Sequence, residues 1–108
     1  MQSAAGAAVL HDSRWLLQQN PKAYTVQLVT SPSQADMARF IDRNVEQLAL
    51  DSLAFSVTEH DQRERYNLFF GVFGTMSEAR AAIAALPPEL RANRPWVRQF
   101  RSIQDSVR

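Results

Sequence analysis

The sequence contains no cysteine. That excludes disulfides and any metal or catalytic site built on a thiol, and it leaves the redox compartment open. No apolar run approaches the ~20 residues that a helix needs to cross a bilayer. Neither sign of charge is in excess: 12 Lys and Arg against 11 Asp and Glu leave a net charge of +1. Sequence-independent nucleic-acid binding rests on a far stronger basic surplus. His11 and His60 have no partners at metal-ligand spacing, so both are expected to be solvated and no metal site is expected. Asp61, Glu64, Glu78 and Glu89 fall in expected turns or helix starts, where carboxylates have structural reasons to be. No acid–base pair or activated serine emerges, and a hydrolase is not expected.

What is present is enough for one domain. The chain has 108 residues, 45% of them hydrophobic, which supports a packed core and argues against disorder throughout. Residues 1–11 lack the basic start of a signal peptide and read as a flexible leader or an expression remnant; residues 12–108 read as the domain. Asp12 or Ser13 can cap a short helix ending before Asn20-Pro21, with Trp15 and Leu16 as a lid on the domain.

Tyr24 to Thr30 alternates at period two and predicts a strand, with Tyr24, Val26 and Leu28 on one face and Thr25, Gln27 and Val29 on the other. Ser31-Pro32-Ser33-Gln34 predicts a helix start with Ser31 as cap, and Met37, Phe40, Ile41, Val45 and Leu48 carry the helical stripe to about residue 48. Leu53 to Glu59 is a second strand, with Leu53, Phe55 and Val57 inward. His60 to Glu64 is a polar turn, and Arg65 to Phe73 is a third strand. There Tyr66, Leu68, Phe70 and Val72 share one face, Asn67, Phe69 and Phe73 the other, and Gly71 marks a bulge or a close backbone approach. Thr75-Met76-Ser77-Glu78 is a capping box that opens a helix ended by Pro87-Pro88. A polar connection from Glu89 to Pro95, a short strand from Trp96 to Phe100 and a final helical turn from Ser102 complete the chain.

The order strand, helix, strand, strand, helix, strand predicts an α+β fold of the split βαβ type: four antiparallel strands, the first and third central, both helices on one face. The opposite face then carries Gln27, Ser56, Asn67 and Phe69, and nothing else in the chain is long enough to cover all of it. An open sheet face with amides and an aromatic is a binding surface. Gln27 is the odd residue, since an amide in the middle of a short apolar strand needs partners if it is buried.

The segments Tyr24-Thr25-Val26-Gln27-Leu28, Arg65 to Phe73, Ser77-Glu78-Ala79-Arg80-Ala81-Ala82 and Asn93-Arg94-Pro95-Trp96-Val97-Arg98 together resemble the SPOR domain family. Trp15 to Pro21 is similar to the lead-in before the domain in a division protein of that family. The resemblance covers about Trp15 to Gln104. It implies a non-catalytic module of the bacterial periplasm, without a cofactor, that binds peptidoglycan glycan strands stripped of stem peptides and so marks the division septum. It further implies other division proteins as partners and a membrane-anchored parent protein. By position, the resemblance makes Gln27 the glutamine of the glycan surface, Thr30 a hydroxyl residue after that strand and Trp96 a tryptophan near the last strand. Arg65 stands where related sequences have a tryptophan, and its guanidinium plane can still lie against a sugar. Phe69 departs from the commoner polar or aliphatic residue and offers replacement surface.

The glycan's chemistry fits these residue types: aromatics suit sugar ring faces, an amide suits acetamides, and Arg65 or Arg98 suits a lactyl carboxylate. A stem peptide would collide with a groove this close to the sheet. Structural readings stand beside the functional ones: Gln27 as a satisfied core amide, Trp96 as an edge plug, Phe69 as a dimer contact. Two rival functions share the fold, an RNA-binding RRM and a protein-docking module. The RRM reading is weakened by Gln27, which stands where a base would stack on an aromatic, and by the absence of the motif Arg-Gly-Phe/Tyr-Gly/Ala-Phe.

Overall fold

The computed structural model describes residues 11–44 and 53–107. Its elements in order are α1 (Ser13–Gln18), β1 (Tyr24–Ser31), α2 (Gln34–Asn44), β2 (Leu53–His60), β3 (Arg63–Phe73), α3 (Met76–Ala84), α4 (Pro88–Arg91), β4 (Trp96–Gln99) and α5 (Phe100–Val107). The strands form one antiparallel sheet in the order β2-β3-β1-β4. This is the α+β, split βαβ arrangement expected from the sequence, with β1 and β3 central. The stripe positions Val45 and Leu48 lie outside the described residues.

One face of the sheet is buried by α2 and α3. Val26 and Leu28 of β1, Leu53 of β2 and Leu68 of β3 pack there with Met37, Phe40, Ala79, Leu86 and Leu90. Leu90 comes from α4, a helical turn inside what reads in sequence as a plain polar connection. The box at α3 forms as its residues dictate: Thr75 Oγ1 accepts from the Glu78 amide at 3.1 Å, and Glu78 Oε1 accepts from the Thr75 amide at 3.2 Å. The start of α2 differs from expectation. Ser31 is still paired with Tyr66 as a strand residue, so the cap falls to Ser33, whose Oγ accepts from the Asp36 amide at 3.1 Å.

Two bulges re-aim the side chains of the central strands. Between the pairs Gln27–Phe69 and Val29–Leu68, β1 has one extra residue, Leu28. Leu28 and Val29 therefore both meet the helix-covered core, and Thr30 falls on the side of Gln27. The alternation read from sequence, which set Val29 beside Gln27, is corrected by that one residue. Between the pairs Val26–Phe70 and Tyr24–Phe73, β3 has the extra residue, at Gly71-Val72. Gly71 has φ +80°, and a Cβ there would lie 2.6 Å from the Phe73 ring, so glycine is required. Phe70 and Phe73 consequently share the core face, and Val72 turns outward at 49% exposed. Thr25 Oγ1 donates to the carbonyls of Phe70 and Gly71 at 3.0 and 2.7 Å, meeting the acceptors that the bulge frees.

The opposite face is covered in part: the rest of the chain does not reach across all of it, as expected, but it covers more than the sequence implied. β4 stops at Gln99, and Phe100, read from sequence as its last residue, begins α5 instead. Phe100 and Ile103 of α5, Leu16 of α1 and Ala23 close over Ala54 and Phe69 as a second apolar cluster, with Trp15 half-buried beside them. Each fully buried side chain of this size contributes roughly 1.5–3 kcal/mol. Asp12 caps α1, accepting from the Trp15 amide at 3.3 Å. Gln104 of α5 donates to the carbonyls of Leu16 and Gln19 at 3.1 and 2.8 Å, so α5 holds the C-terminal end of α1. His11, assigned in sequence to a flexible leader and to solvent, bonds β2 through its backbone at 2.9 and 3.0 Å and stacks on Trp15 at 4.4 Å.

Candidate functional site

The two short helices leave the other part of this face uncovered, and a chain of polar side chains crosses all four strands there. It begins at Arg98 of β4, whose Nη1 donates to Gln27 Oε1 of β1 at 2.6 Å. Gln27 Nε2 donates to Thr30 Oγ1 and, at 3.3 Å, to Asn67 Oδ1 of β3. Thr30 Oγ1 in turn donates to Asn67 Oδ1 at 3.0 Å. Asn67 Nδ2 donates to Ser56 Oγ and Thr58 Oγ1 of β2 at 3.3 and 3.2 Å. Asn67 uses both amide protons and accepts twice, which is all an asparagine can do.

The five residues singled out in sequence are not equivalent in this setting. Gln27 is 4% exposed, and its amide is engaged on both ends. It organises the surface from beneath. Thr30, on the same face because of the Leu28 bulge, is exposed and leaves an acceptor lone pair to solvent. Trp96 pairs with Gln27 across β1–β4 and is 53% exposed, too open to plug an edge. Arg65 is exposed at the hairpin end of the face, opposite Thr58. Phe69 is 2% exposed among Leu16, Phe100 and Ile103. The reading of Phe69 as replacement sugar surface is corrected: its ring is core, because α5 begins two residues after Arg98 and lies across it.

Asn67 and Ser56 were legible as residues of this face but carried no role in sequence. In the structure Asn67 links β1 to β2. Arg98, matched in sequence to a carboxylate, gains a second part here. Its guanidinium lies 5.0 Å from the centre of the Trp96 ring, and its Nε donates to Ser102 Oγ of α5 at 3.2 Å. Both acceptors are neutral. Burial pushes the Arg98 pKa down, yet not far enough to discharge an arginine at neutral pH. The signal available in sequence was spacing: Trp96 and Arg98 are two apart on a strand and so share a face.

A cleft of about 270 Å³ runs along this face, lined by Ser56, Thr58, Glu59, Asn67, Arg98 and Ser106, with the edge of the otherwise buried Phe69 at its wall. Ser56, Thr58, Asn67 and Arg98 of the hydrogen-bonded row line it, and Trp96 stands beside Arg98. An apolar ring face, fixed hydroxyls and a charged planar donor suit a sugar polymer better than a flat apolar ligand. Among the described residues no group of three or more His, Asp or Glu is placed to hold a metal ion, and no helix is long and apolar enough to cross a membrane.

Comparison with known proteins supplies the family. The model of the SPOR domain matches residues 20–99, which contain β1 to β4 and every residue of the polar row. A cell division protein, DamX of Serratia marcescens, is 32% identical over 85 residues, or 79% of this chain. The chain spans 38% of the length of that relative. With the matched stretch covering the whole sheet and its polar row, the chain belongs to the SPOR domain family.

Proposed function

We propose that this chain is a non-catalytic module that binds peptidoglycan glycan strands lacking stem peptides, and that it brings a bacterial cell-division protein to the septum from the periplasmic side. The observation that carries this reading is the row Trp96–Arg98–Gln27–Thr30, a stacking plate and polar donors held rigidly on the uncovered part of the sheet. Trp96 takes a sugar ring face, Thr30 and Thr58 meet hydroxyls or acetamides, and Gln27 holds the surface in place. Arg65 extends the face toward the hairpin. The likeness to a division protein supports the cellular setting. We infer on the same ground that the parent protein is membrane-anchored and meets other division proteins.

The RNA-binding alternative loses ground on geometry. An RRM stacks bases on aromatics of its two central strands. Here the central positions on this face are Gln27, Asn67 and the buried Phe69.

The domain is expected to bind purified sacculi and to bind them better after an amidase has removed the stem peptides. Equal binding before and after treatment would count against the preference for bare strands. Binding is also expected to be only weakly salt-sensitive, with RNA and chitin as controls. Contacts to several phosphates would instead weaken ~10³-fold or more over a modest rise in salt.

A further inference from the structure

We propose that Arg98 reads the free lactyl carboxylate of an unsubstituted muramyl residue, so that the domain distinguishes stripped from peptide-bearing glycan by charge as well as by bulk. This rests on the glycan reading above and assigns its specificity to one side chain.

Three observations point to Arg98. Its guanidinium is fixed on two sides, by Gln27 Oε1 at 2.6 Å and Ser102 Oγ at 3.2 Å, and lies against the Trp96 ring. A guanidinium has five N–H donors. Two are used, which leaves three without a protein acceptor among the described residues. Finally, the group is half-buried and the two acceptors it bonds are neutral. A planar fork with its orientation already set loses little freedom on taking a carboxylate, and such a bond is stronger than one between neutral groups. Arg65 differs: it is exposed, where a charge pair gains little. Glu59 lines the β2 side of the cleft and repels an anion toward the β4 end, where Arg98 stands.

The chemistry of the ligand makes the distinction. A bare lactyl group ends in a carboxylate with two acceptor oxygens and a negative charge. When a stem peptide is attached, the same carbon carries a neutral amide. That amide offers one acceptor and turns an N–H toward a group that only donates.

The test separates charge from bulk. Amidase-stripped strands are divided, and in one portion the lactyl carboxyls are converted to primary carboxamides with carbodiimide and ammonia, a change of almost no volume. The unmodified domain is expected to bind the carboxamide strands about tenfold or more weakly than the acid strands. Arg98→Gln is expected to bind both alike, at the level the unmodified domain shows for the carboxamide. Arg98→Lys, which keeps the charge without the fork, is expected to retain a reduced preference and serves if the glutamine variant does not fold. Equal binding of the two strands by the unmodified domain overturns the proposal while leaving glycan recognition intact. A variant that weakens both strands in proportion also overturns it, because Arg98 would then act only by holding Gln27. Failure of the unmodified domain to bind either strand would instead sink the glycan reading itself.

Discussion

A buried amide with every proton and one oxygen lone pair engaged is costly to remove, and Gln27 is such an amide. Gln27→Ala would leave Arg98 without one of its two acceptors and Asn67 Oδ1 short of one donor. The expected loss of stability is about 1–3 kcal/mol, since partners stay buried and unsatisfied. Sacculus binding should fall as well, because Thr30 and Arg98 lose their common tether. A variant that melts like the parent yet binds poorly would return Gln27 to the role of a direct ligand contact. The residue was legible in sequence because a polar side chain in an apolar alternation is conspicuous. Its surroundings were less so. Leu28 gives no compositional sign that it is the extra residue of a bulge, so Thr30 could not be set beside Gln27 by counting. Gly71 did give such a sign, and the second bulge lies where that glycine stands.

At the scale of elements, the β2–β3 hairpin is tighter than its composition implied. His60 pairs with Arg63, leaving a two-residue turn at Asp61 and Gln62 with φ +54° and +66°. Both are left-handed, as the turn type that suits the twist of paired strands requires. Asp tolerates this region, and Gln does so poorly. Gln62→Gly is therefore expected to stabilise the protein by about 0.5–1 kcal/mol, read as a higher denaturation midpoint in urea at unchanged slope. A lower midpoint would mean that the glutamine side chain makes a contact worth more than its strained backbone. The strands, the two long helices and the capping box at α3 were all legible from period and cap chemistry. The helix α5 was legible only from Ser102 onward, as a final turn. Its Phe100 completes a convincing alternation with Trp96 and Arg98, and assigning that residue to β4 stripped the helix of its first apolar position. Ser31 misled in a similar way, because a cap residue beside a proline carries no mark of belonging to a strand.

For the molecule as a whole, α1 and α5 turn a two-layer fold into a three-layer one over half of the sheet. The family match runs from residue 20 to residue 99, so it includes neither helix. A fragment cut at those limits would bare Phe69 and Ala54 and lose Leu16, Phe100 and Ile103 together. It is expected to aggregate or to melt far below residues 11–107, which light scattering and calorimetry would report. Phe100→Ala tests the same layer within the full chain and should cost about 3–5 kcal/mol, a large share of what holds a domain of this size together. A fragment as stable as the full chain would show that the second cluster only decorates the sheet.

The junction between β4 and α5 has no loop: Gln99 ends the strand and Phe100 starts the helix. The amides of Phe100 and Arg101 are bonded to the carbonyls of Ala23 and Pro21 at 2.9 and 3.0 Å, which pins the corner to the segment leading into β1. There is thus no slack between the strand that bears Trp96 and Arg98 and the helix that roofs Phe69. Tension applied along a glycan seated on Trp96 would be borne at once by that corner and passed through Gln104 to the end of α1. The domain would take such a load as a braced hook rather than as a patch on a flexible sheet.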